Sequence, residues 1–378
     1  MTTSPQPWKT VFKGNTIVKE PSIVPATIDL AAAFQRQVRR KKGIIWGLLL
    51  LTLLLALLAI NAGAADTQPW QVLRALLRLE SVVSNVVVWN IRLPRVIAAI
   101  VAGAGLAVAG CVMQTGLRNP LASPFTLGIA SAAAFGANLA IVFLGAGTLH
   151  SNTHDAVFIA NPYTVPLSAF VFSLAAMLSI LLLARLRGFS PESVVLAGVA
   201  FGSLFAAGTT LIQYFAEDVQ VAAMVFWTFG DLGRVSWPEV GILTAVTAVA
   251  FIYFLLHRWD YNALESGEDA AQGLGVQVQQ IRFRSMLAAS LVTAVAVAFM
   301  GIIGFIGLIA PQMMRRVIGV DHRFLIPASA ASGAALLLLA DTLARTLISP
   351  VVLPVGAITA FFGAPLFLFI LTKGYSRA

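Results

Sequence analysis

Few side chains in this chain could do chemistry, and they fall in groups. Arg92 and Arg95 stand three residues apart, in Asn-Ile-Arg-Leu-Pro-Arg, at the mouth of an apolar run rich in Gly and Ala. Asp341 lies well inside another apolar run, with Arg345 four residues later. Residues at i and i+4 stack on one helix face, so this pair reads as a structural ion pair rather than a proton relay. His150 and His154 share that spacing and could ligate a metal on a helix. Ser151, Asn152 and Thr153 between them and Asn161-Pro162 beyond make the segment a loop, and no metal site is expected. Cys111 is the only cysteine, which excludes an intramolecular disulfide. No nucleophile is matched with a base, so nothing here predicts an enzyme.

What must position these residues is set by composition. Hydrophobic residues make up 58% of the 378 and charged residues 11%, with a mean hydropathy of +0.87. Soluble domains carry about 25% charged residues, so this chain belongs in a bilayer. The net charge of +9 does not imply nucleic acid, because the cations are spread between apolar runs instead of clustering on a soluble face. Residues 1–42 are polar and hold no apolar core of a secretory signal. They read as a flexible cytoplasmic tail, followed by a membrane domain over 43–378.

A helix needs about 20 mostly apolar residues to cross the hydrocarbon core. Ten runs qualify as candidates, at approximately 44–64, 94–115, 125–146, 165–184, 193–215, 238–257, 284–300, 302–318, 324–345 and 354–372. Gly301 and Gly304 divide the seventh from the eighth. The fold class is therefore an all-α polytopic membrane protein with about ten transmembrane helices. With both termini in the cytoplasm, nineteen of the 25 Lys and Arg fall inside, as the positive-inside rule prefers. Arg92, Arg95 and Arg345 are among the six that fall outside. They read either as snorkelling anchors in the headgroup layer or as contacts for an external partner.

Within the second run, Ala102, Gly103, Ala104, Gly105, Ala107, Ala109 and Gly110 form a nearly continuous small surface. In lipid, such residues matter because they let backbones approach closely, so this helix is expected to be central. Pro120, Pro124, Pro311, Pro350, Pro354 and Pro365 lie in or beside the spans. Broken helices of this kind are tolerated where protein or a water-filled path satisfies the backbone. That pattern predicts a transporter. An ion-coupled secondary transporter would need ionisable groups near the midplane, and Asp341, with Arg345 beside it, is the only acid well inside a span. Energy is expected to come from another subunit. The stretch from Arg258 to Arg284 reads as two short helices meeting near Gly273-Leu274-Gly275, with a face for a partner.

The ordered motifs resemble a known family. They are RLPR at 92–95, GCVMQTGLRNPLASPFTLGI at 110–129, LAGVA at 196–200, LESGEDAAQGLG at 264–275, GFIGLIAPQMMR at 304–315, DHRFLIP at 321–327, LLLLADTLAR at 336–345 and LPVGAITAFFGAPLF at 353–367. Together they resemble the FecCD-type membrane permeases of ATP-binding-cassette importers for iron–siderophore complexes, haem and vitamin B12. The resemblance runs from about residue 44 to 373 and leaves the N-terminal tail outside.

The resemblance implies a permease working with a second copy of itself or a homologous permease, two cytoplasmic ATPase subunits and an external substrate-binding protein. It implies the cytoplasmic (inner) membrane of a prokaryote, no cofactor on this chain, and ATP with Mg used by the partner subunits. By the same resemblance Arg92, Arg95 and Arg345 dock the binding protein, which makes docking the favoured reading of these arginines. Leu264, Glu265, Gly267, Ala270, Leu274 and Gly275 belong to coupling helices, at about 260–280, that contact the ATPase. Ser190, Pro191 and Glu192 occupy the inner-gate position, where a charged Glu192 departs from the pattern of the vitamin B12 importers. The expected cargo is an iron–siderophore complex, with haem or cobalamin as alternatives.

Overall fold

The computed structural model describes residues 25–62, 70, 74, 75, 85–145, 162–186 and 188–374. Thirteen α-helices account for nearly all of them, and no strand occurs among the described residues. In chain order they are α1 (Pro25–Asn61), α2 (Leu93–Gly116), α3 (Ile129–Phe143), α4 (Thr164–Leu186), α5 (Pro191–Phe215), α6 (Asp218–Thr228), α7 (Trp237–Leu256), α8 (Arg258–Glu265), α9 (Glu268–Gly273), α10 (Val278–Met300), α11 (Ile306–Ile318), α12 (His322–Thr346) and α13 (Val355–Gly374). A six-residue π-helical turn, Val87–Arg92, leads into α2.

Internal contacts divide the chain into Met1–Lys42 and Gly43–Ala378. Residues 25–42 are helical, where sequence reading expects a flexible tail. Three alanines followed by Gln, Arg and Lys are good helix formers, and Pro25 is tolerated in a first turn.

Each of the ten expected runs holds a helix, but among the described residues only seven helices are long and apolar enough to cross a membrane by themselves. The shorter ones are α3 with 15 residues, α11 with 13, and the apolar part of α13, Val355–Ile370. At 1.5 Å per residue the first two span about 20 Å, short of the roughly 30 Å hydrocarbon core. Irregular chain completes them. Residues 117–128 lead into α3, and residues 301–305 lead into α11 with Gly301 at φ +75° and Phe305 at φ +66°. The division expected at Gly301 and Gly304 lies in this break.

Backbone groups freed at the end of α10 and the start of α13 find partners in residues 230 and 231. The Asp231 N–H donates to the Met300 carbonyl at 2.8 Å, and the Val355 N–H donates to the Gly230 carbonyl at 3.1 Å. Interior irregular chain is thus satisfied by protein rather than exposed to lipid.

Helix α2 is the axis of the bundle. It is buried along nearly its whole length and packs on α7, α10, α11 and α12. Its small residues act as the composition suggests. A Cβ added to Gly103 would collide with the Gly333 carbonyl of α12, and one added to Gly110 would overlap the Gly307 carbonyl of α11. Both crossings bring backbone against backbone, the close approach that replaces the hydrophobic effect in lipid.

Candidate functional site

Polar side chains gather at the two ends of α2. At its Leu93 end the last carbonyls of α1 have no partner within their own helix. Three arginine N–H groups take them up. Arg92 Nη1 donates to Ile60 O at 2.8 Å, Arg345 Nη1 to Ala62 O at 2.7 Å and Arg345 Nη2 to Ala59 O at 3.1 Å. Positive charge is favourable at a helix C-terminus. Arg345 Nε also donates to Asp341 Oδ2 at 3.0 Å, which realises the expected i, i+4 pair. Arg95 Nε donates to Asp341 Oδ1 at 2.9 Å, while its Nη2 lies 3.5 Å from Asp231.

Asp341 is fully buried, and Arg92, Arg95 and Arg345 are 5%, 9% and 8% exposed. The three arginines expected to dock a partner are thus brought together, but their donors point into this chain. Asp341 receives one arginine on each oxygen, and α1 is tied to α2 and α12. The Arg95–Asp341 contact spans 246 positions, and no local spacing announces it.

At the Gly116 end two short helices are present as anticipated, α8 and α9, but they meet at Ser266-Gly267, and the Gly273-Leu274-Gly275 stretch expected at their junction lies at the end of α9 instead. Leu264 is 1% exposed, and Glu265 forms an ion pair with Arg315 of α11. Leu264 faces the bundle and is not presented to a partner as expected, while Glu265 fastens α8 with its side chain still 26% exposed. The reason is amphipathy: Tyr261, Leu264 and Glu265 recur at helical spacing, so the face carrying Tyr261 and Leu264 packs inward. Ala270, Leu274 and Gly275 are exposed, with Leu274 at 74%, and Gly267 is half-buried. Gly267 at φ +115° and Gly275 at φ +84° bracket α9, in conformations that favour residues without a Cβ.

Behind α8 lies a network that sequence reasoning missed. Arg315 Nη2 donates to Thr115 Oγ1 at 2.6 Å, and that hydroxyl is 2.9 Å from His322 Nε2. The His322 backbone N–H donates to Asn262 Oδ1 at 2.7 Å. Asn262 Nδ2 in turn donates to Asp321 Oδ1 at 3.1 Å. Burial pushes the Asp321 carboxyl up, but hydrogen bonds from Arg323 and Asn262 outweigh it and hold the group down to about 2.

Arg282 was also overlooked. It is 2% exposed, with Nε donating to Gly116 O and Nη1 to Phe189 O, both at 2.6 Å. Its Nη2 pairs with Glu268, the first residue of α9. An arginine at the start of an apolar run was readable as a positive-inside residue; its three partners were not.

Ser190, Pro191 and Glu192 form the start of α5. Ser190 Oγ accepts from the Ser193 N–H at 3.2 Å, Pro191 takes the first turn, and Glu192 is exposed. This is an N-cap followed by an acidic first turn. Beyond it α5 is the most exposed of the long spans, with Leu196, Leu204, Leu211 and Tyr214 between 63% and 80% exposed. His150 and His154 lie outside the described residues. Among the described residues, no group of three or more His, Cys, Asp or Glu could hold a metal ion.

The profile of the FecCD transport family matches residues 49–373. A Methanocaldococcus jannaschii chain, provisionally named an ABC transporter permease protein, is 56% identical over 89% of this chain and 97% of its own. The hemin transport system permease protein of Yersinia pestis is 37% identical over 86% and 94%. The vitamin B12 import system permease protein of Salmonella arizonae is 36% identical over 92% and 99%. Among solved structures, an inward-facing ABC transporter provisionally described as metal-chelate type superposes with a TM-score of 0.74 at 29% identity. It covers 88% of this chain and 99% of that one.

Proposed function

The chain belongs to the FecCD transport family, and from that premise we propose that it carries an iron–siderophore complex through the permease of an ATP-binding-cassette importer. As a permease of such an importer it is a multi-span membrane subunit that works as a dimer with ATPase subunits. ATP and Mg are used by those partners, and an external binding protein delivers the cargo. Both termini lie in the cytoplasm, in keeping with the distribution of Lys and Arg.

One observation carries the coupling half of this reading. Helices α8 and α9 leave Ala270, Leu274 and Gly275 exposed while Glu265 anchors α8 to the half-buried Arg315 and Glu268 anchors α9 to the buried Arg282. A short exposed element gripped from behind is suited to receive a push from an ATPase. The start of α5, at the half-buried Ser190 and Pro191 and the exposed Glu192, is the inner-gate candidate. An iron chelate as cargo is favoured by the hemin relative and by the metal-chelate transporter.

Docking of the binding protein belongs at the Arg92 end. With their guanidiniums engaged, Arg92, Arg95 and Arg345 serve it chiefly by holding the landing surface in shape. Binding-protein affinity measured against ionic strength separates the two roles. A steep salt dependence that disappears in Arg92→Gln without loss of thermal stability would return the arginine to direct contact.

The whole reading is tested in proteoliposomes containing this chain, its ATPase subunit and its binding protein. Ferric siderophore should accumulate only with ATP and Mg. Uptake of haem or cobalamin in its place would replace the cargo. Uptake driven by an ion gradient without an ATPase would replace the mechanism with secondary transport.

A further inference from the structure

Arg282 joins three parts of the chain that are far apart in sequence. Its guanidinium donates to Gly116 O at the end of α2 and to Phe189 O one residue before the cap of α5, and it pairs with Glu268 at the start of α9. A guanidinium is planar and directs its N–H groups in a fixed fork. These three partners therefore cannot shift independently without breaking a charge-assisted bond. Side-chain exposure is 2% for Arg282 and 34% for Glu268, so the cation is fixed in the bundle while its acid rides on a surface helix.

The turn it holds is strained. Phe189 is a non-glycine residue at φ +63°, a conformation that persists only where surroundings enforce it. Phe189 is 4% exposed, and its ring meets Phe283 edge-on at 6.0 Å. Two consecutive residues of α10 thus grip this turn, Arg282 by its carbonyl and Phe283 by its ring. The turn leads straight into α5, a span with little buried surface to hold it. Another ion pair of this end, Glu265–Arg315, leads elsewhere, to α11 and to Thr115 of α2.

We propose that Arg282 is a positioning residue that makes the start of α5 follow α9, so that displacement of α9 is delivered to the Phe189–Glu192 turn through one guanidinium. The inference rests on the importer reading and says which path within it links α9 to α5. Glu268 loads the path, Phe189 O receives it, and Gly116 O is the fixed point against which the guanidinium turns. Arg282 contacts no cargo and does no chemistry.

The test uses the full transporter with its ATPase subunits and binding protein in proteoliposomes. Glu268→Gln removes the charge that loads the path and leaves Arg282 on both carbonyls. Arg282→Lys keeps a cation near Glu268 but loses the fork. Both variants should hydrolyse ATP at a rate within about twofold of the parent, while cargo moved per ATP falls about tenfold, a typical size for a coupling between sites. Spin labels at the exposed Glu192 and Leu274 supply a readout that a merely structural role would not move. In the parent both sites shift between nucleotide-free and ATP-bound states; in Glu268→Gln only Leu274 shifts.

Unchanged cargo per ATP, or a Glu192 label that still follows Leu274 in Glu268→Gln, would overturn the proposal. If Arg282→Lys fails to assemble, the Glu268→Gln result decides alone, because that side chain is partly exposed. A parent complex that shows no ATP-dependent transport would overturn the importer reading instead, which keeps the two failures apart.

Discussion

The two polar clusters at the ends of α2 use the same residue types in opposite order. At the Leu93 end the carboxylate is innermost: Asp341 is fully buried, with Arg95 and Arg345 closing over it and the carbonyls at the end of α1 accepting from Arg92 and Arg345. At the Gly116 end the arginine is innermost, and the acids Glu265 and Glu268 stand on short surface helices with side chains 26% and 34% exposed. A buried carboxylate held by two arginines cannot release either one without leaving an uncompensated charge. A buried arginine whose acid sits near water can yield its acid at lower cost, because the carboxylate regains hydration. The first arrangement locks helices together, and the second lets a surface element pull on the interior.

The contrast is most easily broken at Asp341. Asp341→Asn should destabilise the chain by about 3–5 kcal/mol, the cost of leaving buried partners unpaired, measured by thermal unfolding in detergent. A loss below about 1 kcal/mol would mean that this cluster is no lock. Arg92→Gln comes next, at about 1.5–3 kcal/mol, because one charge-assisted bond to the end of α1 is lost. Protease accessibility near residue 60 should rise with it. Glu265→Gln at the other end should cost only about 1 kcal/mol or less, since its pair is partly hydrated. A cost equal to that of Asp341→Asn would erase the difference between the clusters.

The smallest effect concerns acid. The Asp321 carboxyl is held down to about 2 from an ordinary 3.8, so it stabilises the folded chain above the ordinary value. That contribution is lost as pH falls from about 4 toward 2. Asp321→Asn should therefore lower stability modestly at neutral pH and converge on the parent as pH falls toward 2, which flattens the acid limb of a stability–pH curve in that window. An unaltered acid limb would remove Asp321 from the Gly116-end network.

Much of the frame was legible because it is periodic or compositional. The apolar runs located the helices, the Gly and Ala of 102–110 identified the central one, and the four-residue step from Asp341 to Arg345 identified their pair. The Gly-rich stretch at 301–304 marked a real break. What stayed hidden is contact at a distance. Arg95 with Asp341, Arg315 with Glu265, and Arg282 with Gly116 and Phe189 join elements whose order in the chain says nothing about their proximity. The expectation that Leu264 meets a partner failed for a related reason, since a motif names a helix without saying which side is covered. Spans α3 and α11 were expected to be longer because an apolar run does not distinguish helix from buried irregular chain.

The glycine crossings of α2 have a mechanical consequence. Where helices interlock through bulky side chains, any slip must carry those side chains over rotamer barriers. At Gly103–Gly333 and Gly110–Gly307 there are no teeth to disengage. Small sliding of packed helices is one of the standard ways proteins change state, and two smooth backbone contacts permit it with little repacking. Helix α2 is thus built as a bearing: tight enough to exclude lipid, yet smooth enough for α11 to shear along it and for α12 to pivot about the Arg95–Asp341 lock.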